Sequence, residues 1–189
     1  LGEYLPFYNR KIETIILTHP DSDHVTGLVE VVRRYEVDRV LMTKVLSDSS
    51  SYQSFLKAVA ENNITVEIID QPQKVDLGGE VVFDILYPIS SFAGQTVEST
   101  NNTSITGQLI YASTTIMLTG DLENEEDLVT RGLNLQSDIY HVGHHGSSNA
   151  NDKSFVLAVA PKYAVISVGA NNRYAHPNFR TLKNLETVS

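Results

Sequence analysis

The chain has 189 residues, 41% hydrophobic and 20% charged, which suits one globular domain and excludes disorder throughout. It has no cysteine, so disulfides, thiol nucleophiles, iron–sulfur clusters and Cys-ligated zinc are excluded, and the redox compartment is left open. Lys plus Arg number 14 against 23 Asp plus Glu, a formal charge of -9, which disfavours gripping nucleic acid through the whole surface. A site that handles phosphate through bound cations is not disfavoured, because the ions bring their own positive charge.

Residues 13–18 (ETIILT) form a short β-branched run, a buried-strand pattern. Residues 25–35 carry apolar side chains at helical spacing, and 37–42 read as a strand. Residues 52–62 predict a helix with Tyr52, Phe55, Leu56 and Val59 on one face. Residues 64–69 and 81–86 are strands, with a turn at Gly78-Gly79 between them. Residues 90–102 read as a polar loop, and 105–111 with 115–119 as a hairpin. Residues 123–130 form a short acidic helix, 138–142 a strand, 152–159 a helix, 163–168 a strand and 178–185 a last helix, with Pro177 near its first turn.

Strands alternate with helices, but a hairpin block interrupts the middle. That argues for two sheets covered by helices, an α/β chain of a single domain over 1–189. The longest apolar runs, such as Ile15-Ile16-Leu17, are far too short to span a membrane. The chain opens Leu1-Gly2-Glu3 without an initiator Met and closes inside a helix, so both ends read as cut from a longer parent.

All 6 histidines fall in Gly-, Asp- or Pro-rich connections after predicted strands, where loops vary while the sheet holds them rigid. The first cluster is His19-Pro20-Asp21-Ser22-Asp23-His24, four metal-ligand side chains between a strand and a helix. Its carboxylates shift the preference from Zn(II) toward harder ions such as Mn(II). The bland alternative is an Asp21 or Asp23 helix cap, which needs one carboxylate and no imidazole. The second is Gly120-Asp121 at a strand end, common turn chemistry on its own and a natural bridging carboxylate beside the first cluster. The third is His141-Val142-Gly143-His144-His145-Gly146-Ser147. One of His144 and His145 can complete a metal shell while the other faces substrate; His141 is either a supporting or simply a buried residue. The fourth is Asn172-Arg173-Tyr174-Ala175-His176-Pro177, where His176 either starts a helix or points at an anion.

Taken together these motifs resemble the metallo-β-lactamase superfamily, whose signature is H-x-[HD]-x-D-H, then Gly-Asp, then His. In finer detail the chain resembles the C-terminal hydrolase domain of ComEC-type competence proteins. THPDSDH (18–24), NTS (102–104), TGD (119–121), VGHHGS (142–147) and NRYAHP (172–177) follow in that order. The resemblance implies a metallo-β-lactamase-like αββα sandwich with the site between its sheets, lacking its first strands in this fragment. It implies ligand roles for His19, Asp21, Asp23, His24, Asp121 and one of His144 or His145, around two divalent ions, Zn or Mn. Asp21 stands where most superfamily members have His, and Asn102–Ser104 where a further His is usual; both replacements reduce the nitrogen ligands.

The reaction expected is phosphodiester hydrolysis, with Asp121 bridging the two ions. Asp23 orients the attacking water or takes its proton, and the non-ligand His of the 144–145 pair, such as His144, stabilises charge on phosphate. His176 protonates the leaving oxygen or grips phosphate. Asn102, Ser104, Ser147 and Asn172 are candidate neutral substrate contacts, and Arg173 and Arg180 a basic rim. The implied substrate is DNA, possibly single-stranded, during competence-type uptake, in a soluble domain of a bacterial membrane protein. Two alternatives stand beside it: a free-standing hydrolase of a small phosphoester, choline ester or lactone, and a non-catalytic binding domain.

Overall fold

The computed structural model describes Leu5 and residues 8–188. Strands β1 (Lys11–Leu17), β2 (Glu36–Met42) and β3 (Thr65–Ile68) form a three-stranded parallel sheet in that order. Parallel neighbours need crossovers, and helices α1 (Ser22–Arg34) and α2 (Ser50–Glu61) supply them. Val25, Val29 and Val32 of α1 and Tyr52, Phe55 and Val59 of α2 pack on Ile15, Leu17, Val40 and Met42. Ser49 caps α2 by accepting the Tyr52 N–H, so the helix starts two residues before the predicted 52.

The second sheet has six strands in sequential order: β4 (Gln73–Gly78), β5 (Val81–Tyr87), β6 (Thr106–Tyr111), β7 (Thr114–Leu118), β8 (Ile139–His141) and β9 (Tyr163–Val165). Pairing is antiparallel from β4 to β7 and parallel from β7 to β9. Helices α3 (Glu126–Thr130), α4 (Lys153–Val159) and α5 (Phe179–Leu185) belong to its outer side, where Leu128, Phe155, Val156 and Val159 cluster with Met117 and Tyr140. Between the sheets lie Leu41, Ile69, Val75, Phe83, Ile85 and Ile105. Period-2 alternation divides the strands accordingly: Leu41 faces the other sheet while Val40 and Met42 face the helices. The layers are helices, sheet, sheet, helices, the αββα sandwich expected.

Three differences from the sequence reading have local causes. The Gly78-Gly79 turn joins β5 to a strand, β4, that the reading passes over, although Val75 and Leu77 alternate with Lys74 and Asp76. The acidic helix begins at Glu126, because Asn102 Oδ1 accepts the N–H groups of Glu123 and Asn124 and holds them in a turn. Strand β9 ends at Val165, three residues before the predicted 168, and the chain leaves the sheet for the loop that carries His176. Among the described residues no helix is long and apolar enough to cross a membrane.

The C-terminal ends of β7, β8 and β9 open at one edge because these strands run parallel. The end of β1 is stitched to the second sheet there: Ile105 N–H donates to Thr18 O at 3.1 Å. All the predicted clusters follow these strand ends.

Candidate metal centre

The first loop leaves β1 at Thr18 and enters α1 at Ser22. Asp21 occupies the N-cap position of α1, yet its side chain makes no capping bond. Its Oδ1 accepts from Thr100 Oγ1 instead, so helix capping does not account for this carboxylate. Asp23 and His24 lie in the first turn of α1. His19 is buried at 1% exposure, with Nδ1 3.1 Å from Thr18 Oγ1 and 3.2 Å from Ser104 Oγ. When Nδ1 donates its proton to either hydroxyl, Nε2 keeps a lone pair facing Asp121, and Nε2 is a buried atom with no hydrogen-bond partner.

Asp121 follows β7 across Gly120, whose φ is +55°. A Cβ there would lie 3.0 Å from Ser104 and 3.1 Å from Thr18, so the close approach of the two loops requires glycine. The carboxylate is buried, and the Asp121 N–H donates to Ser104 Oγ at 3.1 Å.

The third loop carries more strain. His144 and His145 have φ of 47° and 53°, consecutive left-handed residues that cost about 1–3 kcal/mol each. The surroundings impose the conformation. His144 N–H donates to Gly120 O at 3.1 Å, and Ser147 N–H to His144 O at 2.8 Å. Gly143 N–H donates to the Tyr140 hydroxyl at 3.1 Å, and Asn151 Nδ2 donates to Gly143 O and Ser147 O at 3.0 and 3.2 Å. Gly143 is packed so closely that a Cβ would sit 2.7 Å from Thr119 Oγ1. The strained turn aims both rings toward Asp121. His145 Nδ1 lies 2.9 Å from Ser167 O and, donating to it, leaves Nε2 free as a ligand atom.

Four side chains then converge. One ligand atom from each of Asp23, His24, Asp121 and His145 lies within 4.8 Å of the others. His24 Nε2 is 3.3 Å from Asp121 Oδ1 and 3.3 Å from His145 Nε2, and His145 Nε2 is 3.2 Å from Asp23 Oδ2. His19 and His144 also approach the Asp121 carboxylate, each with Nε2 3.9 Å from Oδ2. Two imidazoles and two carboxylates converging within 4.8 Å, with an orphaned nitrogen on His19 beside them, suit a cation of the Zn(II) or Mn(II) type.

The electrostatics favour His19 as a neutral ligand and Asp121 as an anion. Burial, reinforced by His24, lowers the His19 pKa to about 4 against the pull of nearby carboxylates, so the ring is neutral and able to ligate. Burial also works against charge on His24, but its hydrogen bond to Asp121 and the acidic neighbours outweigh this and raise it. Burial pushes Asp121 up, and His24, His19 and His145 together bring it below the ordinary carboxylate value. His141 and His176 are lowered, first by burial and then by neighbouring histidines.

The neutral substrate candidates are engaged internally. Ser104 is fully buried behind Asp121, and Asn102 Oδ1 is spent on the loop after it. Ser147 Oγ accepts the Asn149 N–H. Asn172 accepts from Tyr174 N and His176 N and donates to Gly169 O and His176 O, closing its own loop. Arg180 pairs with Asp152 and Ser148 O and is not a free rim cation. His176 does line a cavity of about 320 Å³ together with Asp23 and His145. Sequence reasoning misses Glu123, whose Oε1 is 3.2 Å from His144 Nδ1, and the buried Glu125–Tyr140–Asn151 group beneath the histidine turn. Short acidic segments read as solvated, so only the burial of Glu125 reveals that group.

Residues 5–170 match the family model described as the metallo-beta-lactamase superfamily. The chain is 29% identical over 197 residues to ComE operon protein 3 of Bacillus subtilis, covering all of this chain and 25% of that protein. It is 28% identical over 171 residues to competence protein ComA of Neisseria gonorrhoeae, covering 89% of this chain and 22% of that one. The chain thus spans about a quarter of the length of the curated relatives it matches. Among solved structures it shares its fold with CmlA, a diiron beta-hydroxylase from Streptomyces venezuelae. The TM-score is 0.62 at 15% identity, over 97% of this chain and 42% of that one.

Proposed function

The chain belongs to the metallo-β-lactamase superfamily, and from that membership we propose that it is a metal-dependent phosphodiesterase that cleaves DNA during competence-type uptake. The observation that carries the proposal is the convergence of Asp23, His24, Asp121 and His145 to within 4.8 Å. The likeness to two competence proteins supports DNA as the substrate.

Asp23, His24, Asp121 and His145 would hold one divalent ion, and His19 and Asp21 a second, more weakly held one that shares Asp121. Asp21 is the weak member, since Thr100 already occupies one of its oxygens. A divalent ion held there would supply Lewis acidity, lowering the pKa of a bound water from ~15.7 toward ~7. The chain's own residues do the rest. Asp23 has a side chain 63% exposed and lines the cavity, so it orients water or accepts its proton. His144 lies beside Asp121 and Glu123, and from there it would offset charge on the non-bridging phosphate oxygens. His176 lines the same cavity and grips phosphate or protonates the leaving oxygen.

The test is cleavage of single-stranded and double-stranded DNA by chain stripped of metal and then resupplied with Mn(II) or Zn(II). The proposal expects cleavage only on resupply. Absence of cleavage under every metal condition contradicts it.

A further inference from the structure

The cavity that holds Asp23, His145 and His176 has a second wall. Val168, Gly169 and Tyr174 line it. The same cavity therefore combines imidazole and carboxylate groups of the candidate centre with apolar side chains and an aromatic ring. Tyr174 is 62% exposed and contributes nothing to the core, and among the exposed rings it is one that lines this cavity.

Despite that exposure the ring is fixed. Its backbone N–H donates to Asn172 Oδ1 at 3.2 Å, and Asn172 ties the same loop to Gly169 O and His176 O. The His176 ring stacks on it at 20° with centroids 5.8 Å apart. Arg173 donates to the Tyr174 hydroxyl at 2.8 Å and places its guanidinium 5.0 Å from the ring centroid. A tyrosine held in this way loses little conformational freedom when a second planar group lies on it.

We infer that Tyr174 is a stacking platform for a nucleobase of a single-stranded substrate whose phosphodiester lies at the Asp23–His145 wall. The inference rests on the proposed phosphodiesterase reading and names the form of its substrate. It also accounts for binding by a chain of charge -9, since base–aromatic stacking supplies affinity that phosphate contacts cannot. A duplex keeps its base faces stacked on one another and has none to offer the ring, so single strands are preferred.

The experiment uses a short single-stranded DNA carrying 2-aminopurine, mixed with the chain in Mn(II) by stopped flow and read before cleavage. An equivalent strand of abasic units is the control. Wild type quenches the fluorophore, Tyr174→Phe does so equally, and Tyr174→Ala and Tyr174→Leu bind about tenfold more weakly without quenching. The abasic strand binds wild type about tenfold more weakly, and the variants no longer differ on it. Unquenched wild type, or the same loss in Tyr174→Ala on both strands, overturns the platform. Quenching without cleavage leaves the platform standing and defeats the phosphodiesterase reading. Cleavage with Tyr174→Ala indistinguishable from wild type does the reverse.

Discussion

Ser104 Oγ receives the backbone N–H of Asp121 at 3.1 Å. The same oxygen is 3.2 Å from His19 Nδ1, so one buried hydroxyl positions both a carboxylate and an imidazole of the candidate centre. Removing it frees the Asp121 turn and one anchor of the His19 ring. Ser104→Ala is expected to weaken metal binding by about 10–100-fold, the usual cost of losing a group that orients ligands. Competition of the chain against a metal-sensing dye measures it; unchanged affinity would show that backbone geometry alone holds the two ligands.

His145 and His144 are predicted to separate. His145 Nε2 stands within the four-residue ligand cluster, whereas His144 Nδ1 faces Glu123 Oε1 at 3.2 Å. His145→Ala should lose the more tightly held ion, with affinity down by more than about 100-fold, beyond the effect of a supporting group. His144→Ala should keep most of the metal and lose turnover. Metal content after dialysis, set beside DNA cleavage for each variant, distinguishes them; equal metal loss in both would place His144 among the ligands.

Glu125 gives a pH dependence of known sign. Burial is the largest influence on its carboxyl and raises it from 4.5 to about 7, against hydrogen bonds from the backbone of Asn151 and Asp152. Between these values the unfolded chain has released the proton and the folded one retains it. This group's contribution to stability is therefore full below pH 4.5, declines as pH rises to about 7, and is constant above. Gln imitates the protonated acid: its oxygen can accept the Asp152 N–H that Glu125 Oε2 accepts at 2.9 Å, and its amide can donate to the Tyr140 hydroxyl. Glu125→Gln should flatten that part of the pH–stability curve and stabilise the chain at pH 8 by up to about 3 kcal/mol. Urea unfolding across this pH range checks it, and a variant less stable at pH 8 would mean that the charged form is needed.

The legible parts of the molecule were those with local causes. Each ligand motif sits where a β-branched run ends at Gly, Pro or Asp, and a strand end is readable from its own residues. The alternating elements point to two sheets covered by helices, and the αββα sandwich is what the family resemblance implies. Strand β4 is short and flanked by polar residues, so the alternation of Val75 and Leu77 is a weaker signal than the Gly78-Gly79 turn beside it. The engagement of Asn102, Ser147 and Asn172 was not readable, because their partners depend on how distant loops pack and an Asn looks alike whether it binds substrate or backbone. The Asp21–Thr100 bond spans 79 residues and is beyond any local pattern. The same holds for Glu125, which lies in an acidic stretch yet is 1% exposed beneath Tyr140 and Asn151.

Asp121 is the point where the two halves of the site meet, 3.3 Å from His24 and 3.6 Å from His145. The most direct measurement is the metal content of dialysed wild type and Asp121→Ala by mass spectrometry, with cleavage of single-stranded DNA followed on the same samples. The account predicts stoichiometric divalent metal and cleavage in wild type, and loss of both together in the variant. An Asp121→Ala chain that still cleaves DNA would contradict it.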